Sequence, residues 1–228
     1  MEELLSLVSK PIRYLGSEIH SIRKDPSKVR LKFCLAFPDA YEVGMSHLGF
    51  KILYHILNRE EGIACERVFA PWFDMEQVLR EKGIPLASLE SSTPLGQFDI
   101  IGFSLQYELC CTNVLNMLDL SRIPLRAEER DNRFPVIIAG GPVAFNPAPV
   151  ADFFDAFVIG DGEEAVVEIG SLALQWKEAA GKKEDLLKSL SQLEGVYVPS
   201  LHREGRTVQK RLVPDLNEAR FPTCPIVP

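Results

Sequence analysis

The residues of this sequence best placed to do chemistry stand directly after apolar runs. "PDAYEVGMS" follows "VRLKFCLAF" (29–37), and "SLQYE" closes the run that begins "DIIGFSL" (99–105). "GGPVAFNP" follows "VIIA", and "GDGEEA" (160–165) follows "DAFVI". Glycine or another small residue recurs at these ends. Glycine lets a ligand approach the backbone closely and adopts positive φ without strain. Gly140-Gly141-Pro142 therefore has two readings: a plain tight turn, or a place where something large lies against the main chain. Asp39 reads as the cap of the turn that follows it. Tyr41 reads as a rim aromatic or a ligand-facing group. His47, near a helix start, reads as a surface or capping residue, and His55 as structural. "GDGEEA", with Gly160, Gly162 and Ala165, fits the dinucleotide pattern G-x-G-x-x-A on its face. Its acids Asp161, Glu163 and Glu164 would repel a pyrophosphate, whereas they suit a helix N-terminus through the macrodipole. No G-x-x-x-x-G-K-[ST] occurs, which argues against a P-loop.

The cysteines are 34, 65, 110, 111 and 224, an odd number at irregular spacing, which argues against a disulfide framework. A reducing cytoplasm fits them. Cys110-Cys111 invites a redox reading, but helical spacing puts Cys111 on a buried stripe, so packing explains it. Nowhere do three cysteines cluster as an iron–sulfur site requires.

The elements that must position these residues follow from periodicity. Strands are expected at 29–37, 65–70, 99–105, 136–140 and 155–160, with a short one at "PLASLE" (85–90). Helices are expected at about 45–58, from Asp74 as N-cap to a stop at Gly83, at 108–120, 162–178 and 183–193. Their apolar stripes are Leu48, Ile52, Leu53, Ile56 and Leu57; Cys111, Val114, Leu115 and Leu118; and Val166, Ile169, Ala173 and Leu174. The strands are continuous apolar runs, as expected of a parallel sheet covered on both faces. The strand-helix alternation gives a doubly wound, flavodoxin-like (Rossmann-like) α/β fold with a mainly parallel five-stranded sheet. Ligands of such sheets bind beyond the strand C-termini. The expected organisation is a lead-in at 1–28, the α/β domain at 29–180, a helix plus a small β-rich hairpin around "REGR" at 181–213, and a proline-rich linker at 214–228.

The 228 residues carry a net charge of -7, which argues against nucleic acid as a partner. No apolar run is long enough to span a bilayer, and the acidic start lacks the basic segment of a secretory signal.

Asp39-Ala40-Tyr41-Glu42-Val43-Gly44 resembles the cobalamin-domain motif D-x-H-x-x-G, with Tyr41 in place of the histidine. Ser104-Leu105 stands where that family has S-x-L, although the residue two after Ser104 is Gln106, and Gly140-Gly141 matches its GG. More broadly, "LAFPDAYEVGMSHLGFKILYHILN", "ERVFAPW", "FDIIGFSLQYELCCTNVLNMLDL", "VIIAGGPVAFNPAP", "ADFFDAFVIGDGEEA" and "GVYVPSLH" resemble the N-terminal region of an uncharacterised family of cobalamin-domain radical S-adenosylmethionine proteins. The resemblance implies a corrinoid partner. Asp39, Tyr41, Gly44, Ser104, Leu105, Gly140, Gly141, Pro142, Gly160 and Gly162 would be its cofactor-binding residues. Ser104 would donate a hydrogen bond, and the glycine pair would line the nucleotide tail. With Tyr41 at the histidine position, it implies base-off cobalamin without a histidine ligand. It also implies a following domain in the same polypeptide, whose C-x-x-x-C-x-x-C would hold a [4Fe–4S] cluster and S-adenosylmethionine. The present chain alone is then expected to be inactive, and the parent could be a methyltransferase. Two other functions stay open: a scaffold or partner-docking domain with a degenerate site, and a flavin mononucleotide module.

Overall fold

The computed structural model describes residues 2–202, 207–215, 217 and 219–228. The sheet has the order β2-β1-β3-β4-β5-β6. Its strands are β1 (Leu31–Phe37), β2 (Ile63–Phe69), β3 (Ile100–Ser104), β4 (Val136–Gly140), β5 (Ala156–Val158) and β6 (Val196–Tyr197). The first five are parallel, and β6 pairs antiparallel with β5. The expected five parallel strands are present, and the sixth adds an antiparallel edge, as doubly wound sheets often do. The reversal of strand order falls between β1 and β3, where crevices form in such folds.

A short helix α1 (Glu2–Leu5) begins the chain. Then come α2 (Tyr41–Ser46), α3 (Leu48–Arg59), α4 (Phe73–Lys82), α5 (Cys111–Leu120), α6 (Ala165–Glu178) and α7 (Lys183–Leu190). The period-2 alternation of β1 divides the core. Leu31, Phe33, Leu35 and Phe37 face one side with residues of α3, α6 and α7. Cys34 and Ala36 face the other, with Met75, Val78 and Leu79 of α4 and Val114, Met117 and Leu118 of α5.

Several local expectations are corrected. The helix expected from about 45 to 58 is two helices, because His47 leaves the helical region (φ -81, ψ 113) and caps α3. Asp74 does not cap α4; Trp72 does, and the Asp74 carboxylate instead accepts from the backbone and hydroxyl of Ser9. Gly83 stops α4 as expected, in the left-handed conformation at φ 62. Residues 85–90 form no strand; only Ala87 makes an isolated bridge, to Pro94. On α5 the buried cysteine is Cys110, just before the helix, while Cys111 is half-exposed. The turn expected at "REGR" lies outside the described residues. The segment read as a linker packs back onto the start of the chain: Val227 bridges Ile19, and Ile226 is buried.

One ionic cluster joins the lead-in to the sheet. Arg67, fully buried on β2, donates from Nε to Glu90 (2.6 Å) and from Nη2 to Glu18 (2.8 Å). Tyr41 donates its hydroxyl to the other oxygen of Glu18. Removing one member would strand a buried charge, costing roughly 3–5 kcal/mol.

Candidate functional site

A cleft of about 290 Å³ opens at the C-terminal edge of β1, β3, β4 and β5, between the sheet and the N-terminal turns of α3 and α6. Its floor is Phe33 and Leu35 of β1, Gly102 of β3 and Ile138 of β4, with Val158, Val166, Ile169 and Leu53 along the walls. Its mouth carries Ser104, Gln106, Gly140, Gly141, Pro142, His47, and Gly160 to Glu163. The strand ladder explains this assembly. Gly102 pairs with both Leu35 and Ile138, and one pleat further on Ser104 pairs with Gly140. The positions two apart on β3 and β4 thus face the same side.

The two glycines of the pair have different roles. Gly141 has φ +102, and a Cβ there would stand 2.5 Å from the Leu105 carbonyl oxygen. It is the turn glycine. Gly140 has no such constraint; a Cβ there would meet nothing closer than Val158 at 3.9 Å, on the cleft side of β4. The turn reading therefore holds for Gly141, while Gly140 leaves open space on the cleft side.

Ser104, Gly140, Gly141, Pro142, Gly160 and Gly162 come together around the cleft. Asp39, Tyr41, Gly44 and Leu105 do not. Asp39 accepts the Tyr107 hydroxyl (2.9 Å) outside it. Tyr41 is buried, packs edge-on against Phe69 and bonds Glu18; burial, together with Glu18, pushes its phenol well up. Gly44 makes room for the Phe69 and Phe37 rings. Leu105 is fully buried in the opposite face of the sheet.

His47 contributes by capping. Its Nδ1 accepts the Phe50 backbone N–H at 3.2 Å. A neutral imidazole bonded this way carries its proton on Nε2, so its free nitrogen is a donor rather than a lone pair. Gln106 donates from Nε2 to Ser104 Oγ (2.8 Å), leaving the serine hydroxyl hydrogen available. At the α6 end the rim is acidic, with Asp161 holding the Val213 backbone N–H. Gly160 lets Arg211 pass beside it, and the Arg211 guanidinium pairs with Glu164 and Glu168.

Residues 49–199, about two thirds of the chain, match the family described as "Radical SAM proteins, N-terminal". The chain belongs to this radical S-adenosylmethionine N-terminal family. It is also 25% identical over 130 residues to the uncharacterized protein MJ0966 of Methanocaldococcus jannaschii, a match covering 57% of this chain and 23% of that relative. The chain thus spans about a quarter of the length of the curated relative it matches. Among the described residues of this radical S-adenosylmethionine N-terminal domain, no group of three or more His, Cys, Asp or Glu side chains could hold a metal ion, and no helix is long and apolar enough to cross a membrane.

Sequence reading missed the cleft floor in this domain. Phe33 and Leu35 were legible as core but not as cleft. Gly102, a glycine inside an apolar strand, marks close approach of another group, and that group is the Phe33 ring, 3.0 Å from where a Cβ would stand.

Proposed function

We propose that the cleft binds a corrinoid and that the chain is the cobalamin module of a radical S-adenosylmethionine protein. The carrying observation is Gly140, whose missing side chain leaves open an apolar slot at the strand C-termini, beside the reversal of strand order. The fit to the cofactor rests on that slot. Phe33, Leu35, Leu53, Ile138 and Val158 would surround a flat base, and Ser104 would donate to it. The tail's phosphate would run past Ser104 and Gly141, because Asp161 and Glu163 disfavour an anion at the α6 corner. Bound methylcobalamin would supply a methyl group, which makes the parent protein a methyltransferase in this reading. The radical domain of the same polypeptide, with its S-adenosylmethionine and [4Fe–4S] cluster, would act on the substrate. Exposed Leu48 and Phe73, which open α3 and α4, with Leu109 and Phe145 in the turns after β3 and β4, would offer that domain an apolar surface.

The residues near the cleft argue against a histidine ligand to cobalt. Tyr41 is turned away and held as a neutral phenol. His47 would have to give up the α3 cap to present a lone pair. Neither residue would therefore ligate cobalt, and a corrinoid with its base in the slot would be held base-off. A flavin mononucleotide module is disfavoured because the segment after β1 offers only Ser46, at the end of α2, whose hydroxyl donates to the Val43 carbonyl. The test is incubation with hydroxocobalamin, desalting, reduction, and paramagnetic resonance. Retained cob(II)alamin without nitrogen superhyperfine splitting supports the reading. A nitrogen splitting would overturn the ligand assignment, and no retained corrinoid would overturn the function.

A further inference from the structure

The cleft is polar at its mouth and hydrocarbon at its floor. Leu35, Gly102 and Ile138 form one row across β1, β3 and β4. Their backbone polar groups lie within the parallel ladder, which occupies them. Phe33, Val158, Val166 and Ile169 complete the floor and walls, and none carries a polar side-chain atom. The polar side chains, those of Ser104, Gln106, His47, Asp161 and Glu163, all belong to residues at or beyond the strand ends or before the helices. A flat ligand entering edge-first therefore meets hydrogen-bonding groups only along its trailing edge.

From this gradient, and resting on the corrinoid reading above, we infer that the cleft selects corrinoids by their nucleotide base: it accepts a benzimidazole and disfavours a purine. A base bearing its sugar at the mouth keeps the ring nitrogen next to that sugar level with Ser104. Its far edge goes to the floor. On dimethylbenzimidazole that edge carries two methyl groups, whose burial is favourable. On adenine it carries ring nitrogens and an amino group, which would lose water and find no partner among Leu35, Ile138 and Ile169. An apolar pocket rejects an added polar group only moderately, so the expected discrimination is at least tenfold, about 1.4 kcal/mol.

Equilibrium dialysis of the 228-residue chain against hydroxocobalamin, and against the hydroxocobamide with adenine as its base, tests this. The two ligands share a corrin ring and differ in the base alone. Affinity at least tenfold weaker for the adenine form is expected. Ile138→Thr keeps a β-branched strand residue but puts a hydroxyl on the floor, and should narrow the ratio. Thermal unfolding checks that this variant folds; if it does not, Val166→Thr puts the same question from the α6 wall. Equal affinities, or tighter binding of the adenine form, would overturn the selectivity and leave corrinoid binding standing. Binding of neither ligand would overturn the reading on which it rests. An unchanged ratio in a folded variant would overturn the assignment of these residues to the base.

Discussion

Gly140 and Gly141 are adjacent, yet substituting them should do opposite things. The backbone of Gly140 lies outside the positive-φ region, and a Cβ would meet its nearest neighbours at 3.9 Å. Gly140→Leu therefore adds atoms in open space without backbone strain, and a non-glycine residue in a strand regains roughly 0.5–1 kcal/mol of backbone entropy. Folding stability should change by no more than about 1 kcal/mol, while the new side chain occupies the cleft. Corrinoid affinity should fall at least tenfold, about 1.4 kcal/mol. Gly141→Ala is the converse. It forces an L-residue to φ +102 with its Cβ 2.5 Å from a carbonyl oxygen, a contact no rotamer change relieves. Strain of this kind costs roughly 1–3 kcal/mol. For a chain of this size that lowers Tm by roughly 2–12 °C. The assay is a thermal scan by circular dichroism on each variant, followed by hydroxocobalamin titration. A folded Gly140→Leu chain that binds as tightly as the parent would refute the cleft argument. An unchanged Tm for Gly141→Ala would refute the division of roles.

His47→Ala should cost about 1 kcal/mol through loss of the α3 cap, and His47→Asn should recover most of it, as read by urea denaturation. The Glu18 carboxyl is buried, which pushes it up, but Arg67 and Tyr41 outweigh burial and hold it below the ordinary range. Its folded value is thus depressed, so its stabilisation is present above the unfolded carboxyl range near pH 4 and is lost as pH falls through the folded value. Glu18→Gln should flatten that acid limb in unfolding curves measured from pH 6 to pH 2. In a thiol titration of the native chain, exposed Cys224 should react first and half-exposed Cys111 later. Buried Cys34, Cys65 and Cys110, whose thiols burial pushes up, should react only on unfolding; early modification of all five would contradict the packing.

The sheet was legible because continuous apolar runs and amphipathic stripes are properties of local sequence. The site was legible where it lies on strand ends, as at Ser104, Gly140 and Gly160. It was not legible where side-chain direction decides. Tyr41 and Gly44 sit in a motif-like stretch after β1, but the N-terminal lead-in supplies Glu18, and Glu18 draws Tyr41 away from the cleft. Nothing in residues 39–44 announces a partner more than twenty residues earlier. Asp74 is a similar case, since Ser9 takes the carboxylate that local rules assign to a cap. The α2–α3 break was hidden because no glycine or proline stands at residue 47; the imidazole of His47 itself caps α3. β6 lies in the tail expected to form a small β-rich hairpin, and its place in the main sheet depends on pairing with β5, which local sequence does not specify.

Hydrogen exchange with mass spectrometry, run on the chain with and without saturating hydroxocobalamin, tests the central claim most directly. Cofactor-dependent protection should fall on 47–53, 102–106, 138–142 and 158–166, the segments that line the cleft. Protection confined to the separate cavity lined by Arg126, Glu128, Arg130, Asp155 and Lys183 at the other end of the strands, or no protection at all, would contradict it.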